Sequence, residues 1–151
     1  MTSETDILDT LNEAMRAKFH TFARYILEAN PYATPADLPL VEALELIARE
    51  DGREAQDAVR VIEALDGIAV PGLPDPLVAD IAYLRARRLA ELCLERKREQ
   101  ARRSAARNDE FAAHLETESG RRYDDAKILL ERMAQTDADH VKALERALGE
   151  T

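Results

Sequence analysis

Apolar positions recur at intervals of three and four residues through most of the chain, and in four segments a charged residue interrupts the stripe. Leu8, Leu11, Met15, Lys18, Phe22 and Tyr25 share one helical face, with Lys18 near its centre. Leu44, Ile47, Asp51, Glu54, Ala58, Val61 and Leu65 form a second face that carries two carboxylates. A third face, Leu77, Ile81, Leu84, Arg88, Leu92 and Glu95, is broken by Arg88. A fourth aligns Phe111, His114, Glu118, Arg121, Asp125 and Ile128 beside a row formed by Leu115 and Leu129. Amphipathic helices bury such faces against one another, so the ionic groups are expected to meet inside an all-α bundle, paired or metal-bound. The alternative places them at helix edges, with their stems on apolar surface and their heads in water.

Caps and breakers divide this pattern into four long helices and a short fifth. Helix one begins at Ser3 or Thr5, both N-cap residues, and ends before Pro31. The proline-rich stretch from Asn30 to Pro39 separates it from helix two, Leu40 to Asp66, for which Gly67 is the stop signal. The connection Gly67 to Pro76 is rich in Pro and Gly. At full extension its length of roughly 33 to 36 Å approaches that of a 25-residue helix, about 38 Å. It can therefore cross the bundle, so that helix three runs parallel to helix two. Helix three is expected at Leu77 to Arg103, a short link at Ser104 to Asp109, and helix four at Glu110 to Gln135 with Gly120 inside it. Asp137 to Leu148 reads as a short C-terminal fifth helix ended by Gly149.

Composition narrows the function classes. The 151 residues fit one domain, 1–151, and an aromatic content of 5% beside 34% charged residues favours helices over sheets. A formal net charge of -9 opposes nonspecific nucleic-acid binding. The mixed run Glu95, Arg96, Lys97, Arg98, Glu99, Arg102, Arg103 and Arg107 reads as a solvated helical face. No segment approaches the roughly 20 apolar residues of a membrane span, and Met1 to Asp9 is polar and acidic, so a cytoplasmic location is expected. The lone Cys93 lies between two leucines and reads as a packed thiol. No nucleophile triad, phosphate loop or paired-cysteine motif is present.

Four long helices, a long second connection and acidic groups at the centre resemble the ferritin-like superfamily, which includes bacterioferritins and rubrerythrins. The resemblance covers residues 8 to 135 and rests on Leu11-Asn12-Glu13, the stretch Glu54 to Gly67, and Glu118 to Arg121. In that family a Glu from each of two helices and a Glu-x-x-His from each of the other two hold a di-iron site. The resemblance implies ligand positions at Lys18, at Glu54 and Asp57, at Arg88, and at Glu118 and Arg121. Only Glu54 and Glu118 match in type. The implied site is degenerate, with Lys18, Arg88 and Arg121 supplying positive charge opposite Asp51, Glu54, Asp57 and Glu118.

The leading expectation is a noncatalytic bundle with no cofactor, held at its centre by an ion-pair network and acting as a homodimer or through a protein partner. Tyr25, Tyr32, Tyr83 and Tyr123 are candidate contact residues. The alternative is an iron- or manganese-dependent oxidase or iron-binding protein using a shifted site drawn from Asp51, Glu54, Asp57, His114 and Glu118. His114 enters because it precedes Glu118 by one turn on the same face.

Overall fold

The computed structural model describes residues 4–29, 31–74, 84–115 and 121–149, and within them the protein is all-helical. The helices are α1 (Glu4–Phe19), α2 (Phe22–Glu28), α3 (Leu38–Ala64), α4 (Ala86–Leu115) and α5 (Asp124–Leu148). Because α1 and α2 form one broken arm, four helical arms pack together.

The first arm, expected as a single helix, breaks at His20 and Thr21. Thr21 takes extended backbone (φ -58, ψ 133), and Arg24 Nη1 donates to the Phe19 carbonyl at 3.0 Å, satisfying a group the broken ladder leaves open. Helix α3 starts two residues earlier than expected. Thr34 and Asp37 form a capping box over the preceding 3-10 turn, and Pro39 falls within the first helical turn, where its missing N–H costs nothing. At the other end Asp66 takes the left-handed conformation (φ 60), whereas Gly67 serves close packing: a Cβ there would lie 2.6 Å from Leu8 Cδ2.

The two largest departures from expectation concern α4 and α5. The stretch expected as a link, residues 104 to 109, lies inside α4, because Ser104, Arg107 and Phe111 continue its buried seam at helical spacing. The chain turns instead between Leu115 and Asp124; Gly120 and Glu118 lie outside the described residues. The segment expected as a separate terminal helix is the second half of α5. Its cap-type residues Thr136 and Asp137 spend their oxygens on tertiary partners, Glu54 and the two central lysines, so they do not start a new helix. Gly149 ends α5 in the left-handed conformation, with its N–H on the Arg146 carbonyl. The expected start of helix three, from Leu77, falls largely outside the described residues; its described part begins at Ala86.

Two apolar clusters fill the interior. One gathers Ile7, Leu11 and Met15 from α1 with Ile62, Phe111, Leu130 and Met133. The other gathers Phe22 and Ile26 from α2 with Leu40, Leu44, Leu89, Leu94, Leu144 and Leu148. Helices α3 and α4 both begin in the second cluster and end in the first, while α5 runs the opposite way. Cys93 belongs to the second cluster, and burial pushes its thiol up to about 12, which leaves it inert at neutral pH.

The stretch that follows α3 is fastened along α1. Asn12 Nδ2 donates to the Ile68 carbonyl at 3.1 Å and its Oδ1 accepts from Val70 N–H at 2.7 Å, while the His20 ring meets the Pro71 carbonyl at 2.7 Å. Asn12→Ala removes both partners of two backbone groups and is expected to cost about 1–2 kcal/mol in urea denaturation; an unchanged midpoint would show that this strap contributes nothing to stability.

Candidate functional site

Each arm carries its interior charge between the two apolar clusters. On α1, Lys18 follows Met15 and precedes the break; on α3, Asp51 and Glu54 follow Ile47; on α4, Lys97 follows Leu94; on α5, Asp137 and His140 follow Met133. Lys18 and Lys97 are 1% and 2% exposed, and Asp51 and Asp137 are fully buried. Together they close an alternating square. Lys18 Nζ lies 3.0 Å from Asp51 Oδ1 and 2.6 Å from Asp137 Oδ1; Lys97 Nζ lies 2.8 Å from Asp51 Oδ2 and 3.0 Å from Asp137 Oδ1.

Further contacts come from the same layer. Lys18 Nζ donates to Asp51 and Asp137 and also stands 2.8 Å from Glu54 Oε1 as an ion pair, although that oxygen accepts no hydrogen bond. Ser104 Oγ donates to Asp137 Oδ2 at 2.5 Å, and Thr136 Oγ1 donates to Glu54 Oε2 at 3.1 Å. Arg132 Nε stands 3.6 Å from Glu54 Oε2 at the rim. Lys18, Lys97 and Arg132 thus oppose Asp51, Glu54 and Asp137, three charges against three. The compact ammonium suits this geometry, because its tetrahedral donors reach several carboxylates where a planar guanidinium would bind one edge-on. The chain has only four lysines, and two of them stand here.

Protonation follows from the pairing. Burial alone would lower Lys18, but Asp51, Asp137 and Glu54 outweigh it and hold the ammonium well above its ordinary range. Burial alone would raise Asp137, yet Lys97 and Lys18 bring its carboxyl down to about 2; Asp51 is lowered against burial by the same two lysines. His140 sits above the square with Nε2 3.1 Å from Glu50 Oε1 and Nδ1 3.6 Å from Asp51 Oδ1. Burial, with Lys97 and Lys18 nearby, depresses its pKa despite Asp51 and Glu50, so the ring is neutral and Nε2–H donates to Glu50.

These depressed values set an acid dependence. A group whose folded pKa lies below its unfolded value contributes stability above the unfolded value and loses it as pH falls through the folded one. His140 therefore begins to cost stability below its unfolded value of 6.5, and Asp51 and Asp137 below 3.8. Melting temperatures by circular dichroism are expected to fall in two stages as pH drops from neutrality. His140→Gln is expected to remove the first stage and leave the second; a first stage of equal size in that variant would assign it elsewhere.

Sequence reading located part of this site. Lys18, Asp51 and Glu54 are brought together at the centre. Arg88, Asp57, Arg121 and His114 are not. Arg88 is 58% exposed and pairs with Glu91, since the buried seam of α4 runs through Leu89, Cys93 and Lys97, one residue away from the face expected. Asp57 lies at the surface between Arg60 and Arg132, and Arg121 is exposed in the 3-10 turn before α5. His114 sits in the last turn of α4, beyond Phe111 and away from the square, and Glu118 lies outside the described residues. Lys97, Ser104, Asp137 and His140 are the members sequence reading missed, and Lys97 and Arg107 are buried where a solvated face was expected.

The donor set suits ammonium ions better than metal ions. Asp51, Asp137 and His140 each offer a ligand atom, all within 4.8 Å of one another. Every Asp oxygen in that group except Asp137 Oδ2 is already contacted by a lysine Nζ, and Ser104 holds Asp137 Oδ2. A divalent ion would have to displace both ammonium groups and would meet their repulsion if they stayed. The chain matches no protein-family model, no curated protein and no solved structure.

Proposed function

We propose that this chain is a noncatalytic, ferritin-like four-helix bundle in which two lysine ammonium groups take the place of a metal centre, and that it works through its surface as a homodimer or a partner-binding module. The observation that carries this reading is the position of both Nζ atoms between the carboxylates of Asp51 and Asp137. Two cations bridged by shared carboxylates reproduce the charge arrangement of a dinuclear site with groups that are part of the chain.

The common direction of α3 and α4, and the run of residues 68 to 71 along α1, support a long crossover between them. Ile68, Val70 and Leu73 on that connection are exposed, as is Tyr32 at 69%, and these side chains favour association. Tyr123 is buried, Tyr25 bonds to His20, and Tyr83 lies outside the described residues. Among the described residues no helix is long and apolar enough to cross a membrane.

Elemental analysis of protein grown with iron and manganese tests the reading. Metal well below one equivalent per chain, with melting unchanged by chelator, is the expected outcome. One or more equivalents, with a chelator-induced fall in melting temperature, would instead favour a single divalent ion on Asp51, Asp137 and His140, the reading their ligand spacing supports. Sedimentation velocity tests the association: a species of twice the chain mass supports the dimer.

A further inference from the structure

A cleft of about 380 Å³ opens between the first arm and α4, lined by Glu13 and Ala17 of α1 and Phe22 of α2 on one wall and by Arg96, Gln100, Arg103 and Arg107 on the other. Three guanidinium groups converge there in a chain whose net charge is -9. Glu13 already shows what they accept: Arg103 grips it with Nε at 2.6 Å and Nη2 at 3.0 Å, and Arg107 Nη2 reaches the same Oε1 at 3.3 Å. One carboxylate is therefore shared by two guanidiniums, Arg103 Nη1 also donates to Glu110 Oε1 at 3.2 Å, and the exposed Glu99 is the second acidic group on the lining.

Donors outnumber acceptors at the cleft floor. Arg107 is 3% exposed, and its Nε–H has no hydrogen-bond partner; the buried Nε2 of Gln100, two turns earlier on the same helix and one turn before Arg103, has none either. Buried N–H groups without acceptors are rare in folded proteins, because each forfeits its hydration without replacement. Both belong to residues that line this cleft, which has room for many waters' worth of ligand at roughly 30 Å³ per water. Phe22, with the Arg96 guanidinium 5.3 Å from its ring centroid, closes one end with an apolar wall. His20 adds no free donor, since its two ring nitrogens face Tyr25 Oη and the Pro71 carbonyl.

We propose that this cleft binds a small oxyanion of the phosphate or carboxylate class, received by the Arg107 Nε–H and the Gln100 side-chain amide, with Arg96 and Arg103 supplying the surrounding positive charge. Planar guanidinium forks and an amide donor suit such groups, whose several oxygens accept charge-assisted bonds at once.

The test is a nitrogen-15 NMR titration of the full chain that follows arginine Nε–H and glutamine side-chain amide signals. Separate titrations use inorganic phosphate, succinate, and sodium chloride at matched ionic strength. Saturable shifts of Arg107 and Gln100 with phosphate identify a phosphoryl ligand, and with succinate a carboxylate; either supports the site. Arg107→Gln is expected to weaken the response at least about tenfold, and Gln100→Leu, which removes no charge and leaves the Glu13 pair intact, is expected to weaken it measurably even if the arginine variant fails to fold. Absence of any shift with both oxyanions, an equal shift with chloride, or undiminished binding by Gln100→Leu would overturn the proposal.

Discussion

Asp137→Ala is expected to cost about 3–5 kcal/mol of folding stability, a large share of the roughly 5–15 kcal/mol available to an ordinary domain. The carboxylate accepts from Lys18, Lys97 and Ser104, all buried, so its loss leaves two ammonium groups competing for Asp51 and Glu54. The cost comes from the uncompensated charge more than from the lost contacts. Removing the whole square should therefore hurt less than removing one corner. The fourfold variant Lys18→Met, Lys97→Met, Asp51→Leu and Asp137→Leu is expected to regain most of the stability, because a buried ion cluster replaced by packed apolar groups is often neutral or better. Urea denaturation of the single and fourfold variants reads both effects. A single-variant loss under about 1 kcal/mol, the scale of a solvated pair, would place Asp137 at a wet rim.

Phe111→Ala is expected to destabilise by a similar amount, about 3–5 kcal/mol. Phe111 is fully buried among Ile7, Leu11, Leu130 and Met133, where three arms meet beyond the ionic layer. Its position depends on α4 running unbroken through Ser104 and Arg107. Were the chain to turn at 104–109, the ring would begin a new helix and the truncation would cost much less. The same denaturation experiment decides this, with a loss below about 1.5 kcal/mol counting against the continuous helix.

The all-helical class and most of the first half of the chain, apart from the break at His20 and Thr21, were legible because their signals are local. The stripes of α1 and α3 have helical period, Pro31, Pro39 and Gly67 punctuate them, and Lys18, Asp51 and Glu54 stand out as polar residues within oily faces. The second half misled for an identifiable reason. Ser104, Asn108 and Asp109, and later Thr136 and Asp137, are residue types that favour caps and turns, so they suggested helix boundaries. Ser104, Thr136 and Asp137 instead direct their oxygens to partners on other helices, information that no local window contains.

With those boundaries removed, Cys93, Lys97, Ser104, Arg107 and Phe111 form one seam, and Met133, Asp137, His140 and Leu144 another. Both carry the polar interruption already visible on α1 and α3. Arg88 and Arg121 entered from the helical faces assigned to the third and fourth segments, and the register of the third missed the buried face of α4 by one residue. A single-residue shift turns a helical side chain by about 100°, enough to move Arg88 from the interior to solvent.

The most direct measurement is proton–nitrogen NMR of the lysine side chains, a small set because the chain has only four, Lys18, Lys97, Lys127 and Lys142. Two ammonium signals should be protected from solvent exchange at neutral pH, and the one assigned to Lys18 should persist as pH rises beyond 10.5, its unfolded value. Four ammonium groups that all exchange freely, with Lys18 titrating like an exposed lysine, would contradict an ionic centre built from the chain's own cations.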